Sequence, residues 1–278
     1  MLKIDAHQHF WHYDPVRDSW ITNDMKKIRR DFLPEDLAPV LSENGMDGCM
    51  VVQSDQSPAE TMFQMGNALE NDFIKGVVGW VDLRAKDIDE QLAFLSNFKK
   101  LKGFRHILQG EADRSLMLKK KFMNGIAHLD KYHFTYDILI FPDQIKAAAK
   151  LAAAFPYQKF ILDHIAKPPI HRGEIEAWAK DIRYLAANEN VACKVSGMVT
   201  EASWKSWKQS DFQPYLDVIV EAFGMKRLLF GSDWPVCLLS ATYKQVKGIC
   251  NKYFKSFSGA EKDDFYGGNA IRWYGLDV

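Results

Sequence analysis

Long apolar runs are missing. The longest uninterrupted one in the 278 residues is the five-residue stretch 151–155, against the about 20 that a membrane helix needs. An excess of one charge is missing too: 36 basic and 36 acidic side chains give a formal net charge of zero. That balance removes the electrostatic case for a nucleic-acid or anionic-membrane partner. The short basic runs at 26–30 and 119–121 read as solvated faces. Lys3 and Asp5 interrupt any signal-peptide pattern, so the expectation is a cytoplasmic protein. Cysteine is scarce: Cys49, Cys193, Cys237 and Cys250 lie far apart without a CxxC pair, and no Asn-x-Ser/Thr sequon occurs. Buried free thiols are expected, rather than a zinc-thiolate site or a secreted disulfide scaffold. No low-complexity segment or Pro/Gly-rich linker divides the chain, so residues 1–278 read as one domain.

What is present is ordinary for a globular protein, 47% hydrophobic and 26% charged, and enough to bury a large core. Short β-branched or apolar runs alternate with longer amphipathic stretches, the pattern of repeated β-α units. Strands are expected at 2–7, 48–53, 75–82, 103–108, 135–140, 160–164, 191–196 and 227–231. Helices are expected at 34–43, 58–71, 87–98, 115–131, 142–155, 173–188, 211–223, 242–255 and 268–274. Eight strand-helix units in this length predict an α/β fold, a closed (β/α)8 TIM barrel. The alternative is an open doubly wound sheet, but no Gly-x-Gly-x-x-Gly follows the first strand and no Walker loop is present.

In such a barrel, polar side chains at the C-terminal strand ends converge on one pocket. The first strand ends in His7-Gln8-His9, and side-chain alternation puts both imidazoles on one side, suited to a metal or to an electrophilic pair. The fourth strand ends in Arg105-His106, the fifth in Tyr136-Asp137, the sixth in Asp163-His164. The seventh carries Lys194-Val195-Ser196 and the eighth ends in Ser232-Asp233-Trp234-Pro235. Taken jointly, His7, His9, His164 and Asp233 are the positions a barrel would gather around one point.

Four segments carry a resemblance: Ile4-Asp5-Ala6-His7-Gln8-His9-Phe10-Trp11; Gly103-Phe104-Arg105-His106; Leu162-Asp163-His164-Ile165-Ala166-Lys167-Pro168; and Phe230-Gly231-Ser232-Asp233-Trp234-Pro235. In this order and spacing, from residue 4 to about residue 274, they resemble the amidohydrolase superfamily. Within it they look like the branch of sugar-acid lactonases that open lactones of the L-fucono and L-rhamnono type. The resemblance implies a hydrolase in which Asp233 takes a proton from water and returns it to the ring hydroxyl. His7, His9 and His164 would flank the carbonyl oxygen, either directly or through one divalent metal, zinc or manganese, held with Asp233. Whether a metal is required stays open. Arg105 stands where two-metal relatives place a bridging carboxylate or modified lysine, and a permanent cation cannot bridge metals.

Substrate contacts are expected from Arg105, Lys167, Trp11, Tyr136, Met198 and Trp234, with Lys194 a further rim cation and Trp80, Trp204 and Glu201 nearby. Cations suit a sugar acid's oxygens, and indoles stack on sugar faces. The partner would be a small lactone; a homo-oligomer stays open. The rival readings are a metal-dependent decarboxylase of the same superfamily, a hydrolase of dicarboxylate or sulfo-lactones, and a sugar-acid sensor without turnover.

Overall fold

Strands buried on both faces are mostly apolar, and this chain's carry polar exceptions, among them Asp5, His7, Arg105, Asp137 and Lys194, that are themselves buried. The computed structural model describes residues 1–277. Its strands are β1 (Ile4–Gln8), β2 (Gly48–Val52), β3 (Ile74–Gly79), β4 (Leu101–His106), β5 (Thr135–Ile138), β6 (Phe160–Leu162), β7 (Val191–Val195) and β8 (Leu228–Phe230). They pair in parallel, each with its neighbour in sequence, from β1 to β8. Just beyond the end of β8 the sheet meets β1. Gln8 bridges Trp234 in parallel, the Asp233 N–H donates to the His7 carbonyl at 2.8 Å, and the His9 N–H donates to the Trp234 carbonyl at 2.8 Å. The Asp5 carboxylate fastens the same seam, accepting the Ser232 N–H at 2.9 Å and the His7 N–H at 3.1 Å. The expected TIM barrel is thus observed.

Between the strands run α1 (Pro34–Glu43), α2 (Pro58–Glu70), α3 (Ile88–Leu95), α4 (Lys120–Leu129), α5 (Ile145–Ala154), α6 (Glu176–Ala186), α7 (Met198–Glu201), α8 (Gln209–Phe223), α9 (Tyr243–Tyr253), α10 (Gly259–Asp263) and α11 (Asn269–Tyr274). Local chemistry starts several of them. Ser57 accepts the Glu60 N–H ahead of Pro58, and Thr242 and Gln245 form a reciprocal cap, each satisfying donors the helix cannot. The helix expected at 115–131 is broken: 3-10 turns at Leu116–Leu118 and Asp130–Tyr132 flank α4. No helix among the described residues is long and apolar enough to cross a membrane.

The lumen is layered. Ile4, Ala6, Met50, Val52, Val78, Ile161, Ala192 and Leu229 form one apolar cluster, which α11 covers from below with Ala270 and Tyr274, joined by Leu276 two residues beyond it. Alternation along the strands then turns Arg105, Asp137, Asp163 and Lys194 inward above that layer. His7 joins them although Ala6 also faces in. Two neighbours on one face need a break in the alternation, and the β1–β2 register shifts between Asp5 and Gln8.

Lys194 therefore corrects an expectation. It is no rim cation but a fully buried ammonium, 2.5 Å from Asp137 Oδ2 and 3.0 Å from Asp163 Oδ1. Removing one partner leaves buried charge uncompensated, at about 3–5 kcal/mol. Urea unfolding of Lys194→Ala should show a loss of that size; a loss under about 1 kcal/mol, the ceiling for an exposed pair, would contradict this placement.

Candidate active site

Three loops leave the strands in conformations that L-residues rarely adopt; two of them deliver a site residue and the third makes room for one. After β6, His164, Ile165, Ala166 and Lys167 are all left-handed, with φ of 53°, 49°, 59° and 48°; after β8, Asp233 has φ 57°. Each such residue costs about 1–2 kcal/mol, a cost the surrounding fold must outweigh. After β7, Gly197 takes φ 64° without that penalty. It also makes room: a Cβ there would lie 2.6 Å from His164 Nδ1.

The result is a convergence on one carboxylate oxygen. Asp233 Oδ1 lies 3.5 Å from His9 Nε2, 3.9 Å from His7 Nε2 and 3.9 Å from His164 Nε2, and His7 Nε2 lies 3.2 Å from His9 Nε2. The far side of each ring is anchored. His9 Nδ1 is 2.8 Å from the Val52 carbonyl; a carbonyl only accepts, so the proton sits on Nδ1 and Nε2 keeps its lone pair. His164 Nδ1 is 2.9 Å from Ser196 Oγ. The His7 Nδ1 side meets Asp163 Oδ1 at 3.2 Å and Lys194 Nζ at 3.1 Å.

Burial, set against the pull of Asp163, holds the His7 imidazole well below its usual 6.5, and burial against Asp233 does the same for His164. For Asp233 burial works upward, but the His164 and His9 imidazoles and Lys167 outweigh it and leave the carboxyl below its usual range. At neutral pH this is a carboxylate facing two neutral imidazoles, those of His7 and His164.

Such a donor set fits one metal ion. Ligand atoms of His7, His164 and Asp233 all lie within 4.8 Å of one another. Tetrahedral ligands at zinc distances stand about 3.4 Å apart, close to the 3.2–3.9 Å found among His7, His9 and Asp233. Among the described residues there is no second group of ligands of this kind: Arg105 occupies the β4 end and donates to Asp163 Oδ2 at 3.0 Å.

Above this centre opens a cavity of about 290 Å³. Of the expected residues, His9, Trp11, Arg105, His164, Lys167 and Asp233 line it. His7, fully buried, is not on the lining, and neither are Tyr136, Met198 and Trp234, a correction with local causes for these three. Asp137 takes the inward place on β5, so Tyr136 points outward and packs against Phe122 and Phe160. Trp234 is wedged against Phe10 and Phe32, and Met198 is buried at the start of α7. Trp204 donates its indole N–H to the Thr200 carbonyl, and Trp80 lies by α2 and α3, in a separate cleft. Glu201 lies 3.6 Å from Lys167 and pairs with it.

Sequence reasoning missed Trp20, Ser54 and Gln109, which also line the cavity. Gln109 Oε1 is buried there without a protein partner. Ser54 and Gln109 closely follow β2 and β4, so the strand-end rule could have found them. Trp20 sits in the long excursion after β1, where no periodicity marks it.

A Gly197→Ala substitution should push the His164 ring from its place. Turnover of any substrate of this site should fall by at least about tenfold while far-UV circular dichroism is kept; an unchanged rate would show that His164 is not held as described.

Similarity to known proteins agrees with this centre. The amidohydrolase family model matches residues 4–276. The chain is 38% identical over 286 residues to the L-fucono-1,5-lactonase of Burkholderia multivorans, covering 99% of this chain and 96% of that protein. It is 23% identical over 206 residues to the L-rhamnono-gamma-lactonase of Scheffersomyces stipitis, covering 65% and 61%. A crystal structure of an amidohydrolase from Burkholderia multivorans with bound zinc superposes with a TM-score of 0.94 at 38% identity, over 99% of this chain and 100% of that one. With a family match over nearly its whole length and a site of histidines and an aspartate at the strand ends, this chain belongs to the amidohydrolase family.

Proposed function

We propose that the protein hydrolyses a sugar-acid lactone, with L-fucono-1,5-lactone the first candidate and the L-rhamnono type the second, and that Asp233 moves the protons. The observation that carries this reading is the convergence of three imidazole nitrogens on Asp233 Oδ1 at the base of a cavity edged by indoles and two cations. The names of the relatives support it.

The chemistry follows from the groups at hand. Asp233, ionised in a buried setting, takes a proton from water as the water oxygen bonds to the lactone carbonyl carbon. His7, His9 and His164 surround the position where the carbonyl oxygen gains charge. When the ring C–O bond breaks, Asp233 returns its proton to the departing alkoxide, so lactone and water become one hydroxy acid. His7, His9, His164 and Asp233 would hold a divalent ion, for which the nitrogen-rich set favours zinc; when bound it supplies Lewis-acid polarisation of the carbonyl. Trp11 and Trp20 offer faces for the sugar ring, while Ser54 and Gln109 offer hydrogen bonds to its hydroxyls.

The charge of the cavity speaks for a neutral polyol over a dicarboxylate lactone. Arg105 is matched by Asp163 at 3.0 Å and Lys167 by Glu201 at 3.6 Å, leaving neither cation uncommitted for a dianion.

A pH-indicator assay on aldonolactones and a pyrone dicarboxylate, with chelated protein and with zinc or manganese restored, tests the substrate class. L-sugar lactones should open and the dicarboxylate should not; the reverse pattern would overturn the reading. Because His7, His164 and Asp233 all titrate below their usual values, kcat/KM should stay level as pH falls from 8 through 6.5 and decline only well below that. An acid limb centred at or above 6.5 would contradict neutral His7 and His164.

A further inference from the structure

Beneath His7 lies a group of charges that proton transfer at Asp233 does not touch. Lys194 Nζ is 2.5 Å from Asp137 Oδ2, 3.0 Å from Asp163 Oδ1 and 3.1 Å from His7 Nδ1, and all four side chains are fully buried. An ammonium has three N–H donors and no acceptor. The structure places three acceptors around it. Both carboxylates are also held from their other sides: Tyr274 on α11 donates its hydroxyl to Asp137 Oδ2 at 2.7 Å, and Arg105 donates to Asp163 Oδ2 at 3.0 Å.

We propose that Lys194 is a positioning residue that sets the tautomer of His7: by donating to Nδ1 it leaves the imidazole proton on Nε2, so the nitrogen facing His9 and Asp233 is an N–H donor. Two contacts pull the other way. Asp163 Oδ1, 3.2 Å from Nδ1, also lies 3.0 Å from the ammonium, whose charge favours it without a proton on Nδ1. Arg105 Nη1 is 3.4 Å from His7 Nε2, at the outer limit of a hydrogen bond, while the same nitrogen reaches Asp163 at 3.0 Å. On the cavity side the acceptor is ready. His9 Nε2 keeps its lone pair because Nδ1–H is bonded to the Val52 carbonyl, and it lies 3.2 Å from His7 Nε2. Donation therefore runs in one direction, from Lys194 to His7, from His7 to His9, and from His9 to Val52.

The consequence rests on the lactonase reading. If a lactone carbonyl oxygen replaces His9 as its acceptor, this N–H beside Asp233 stabilises the charge that grows there. For His7 Nε2 to serve as a metal ligand instead, its proton must move to Nδ1, where Asp163 Oδ1 is the acceptor. Lys194 thus opposes ion binding and Asp163 favours it, and the layer beneath the site sets its metal affinity.

Two-bond proton–nitrogen correlation spectra of the chelated, histidine-labelled wild-type protein test this, with His7→Gln assigning the His7 signals. The expected result is a protonated Nε2 and an unprotonated Nδ1 on His7, reversed when zinc is titrated in. In Lys194→Met the proton should lie on Nδ1, and chelator competition should show zinc bound about tenfold more tightly; Asp163→Asn should bind it more weakly. A His7 protonated on Nδ1 in the chelated wild type overturns the proposal. That spectrum decides the matter even if Lys194→Met does not fold. It needs no substrate, so its failure would leave the lactonase reading standing, and failure of every lactone would leave the tautomer assignment standing.

Discussion

Two backbone hydrogen bonds, from the Asp233 N–H to the His7 carbonyl and from the His9 N–H to the Trp234 carbonyl, join the ends of an eight-stranded sheet, and the rest of the arrangement depends on them. A parallel sheet of this twist buries its lumen only when it closes. Closure at this seam brings the carboxylate after the last strand beside the imidazoles of the first. The bond that completes the fold and the approach that assembles the site are one event. The left-handed backbone at Asp233 is a local cost of that turn, and the Asp5 carboxylate bridging Ser232 and His7 helps to hold it.

Below the seam, electrostatics replaces apolar packing. Lys194 and Arg105 face Asp137 and Asp163 in the lumen, two charges of each sign in a region where an isolated ion would be prohibitively expensive. Burial pushes the Asp137 carboxyl up to about 6 against the pull of Lys194. For Asp163 burial acts in the same direction, yet Lys194 and Arg105 outweigh it and hold the group well below the usual carboxylate range. The two aspartates differ because Asp163 lies within reach of both cations, whereas Asp137 relies on Lys194 and the Tyr274 hydroxyl. A charge-matched floor lets the histidines above it stay neutral while close to a carboxylate.

The barrel was legible because its signal is repetitive: eight apolar runs at regular spacing leave few topologies open. His7, His9, His164 and Asp233 were legible because strand ends in a barrel converge whatever the loops do. What escaped depends on facing rather than position. Tyr136 and Asp137 are neighbours, and only the direction of the strand's alternation decides that the carboxylate enters the lumen and the ring leaves it. Lys194 reads as a surface cation until the buried carboxylates on β5 and β6 are seen beside it. Trp20 reaches the cavity from a long loop with no period to betray it, and Trp234, one residue beyond Asp233, turns to Phe10 and Phe32.

The account stands or falls on Asp233 as the group that carries protons between water and the leaving oxygen. The most direct measurement is kcat of Asp233→Asn, at saturating lactone and on protein whose fold is verified, against wild type. Loss of a positioned acid–base group predicts a fall of about 10²–10⁴-fold in kcat, with the lactone still bound; a variant that turns over within about tenfold of wild type would place the proton transfer elsewhere and contradict the mechanism.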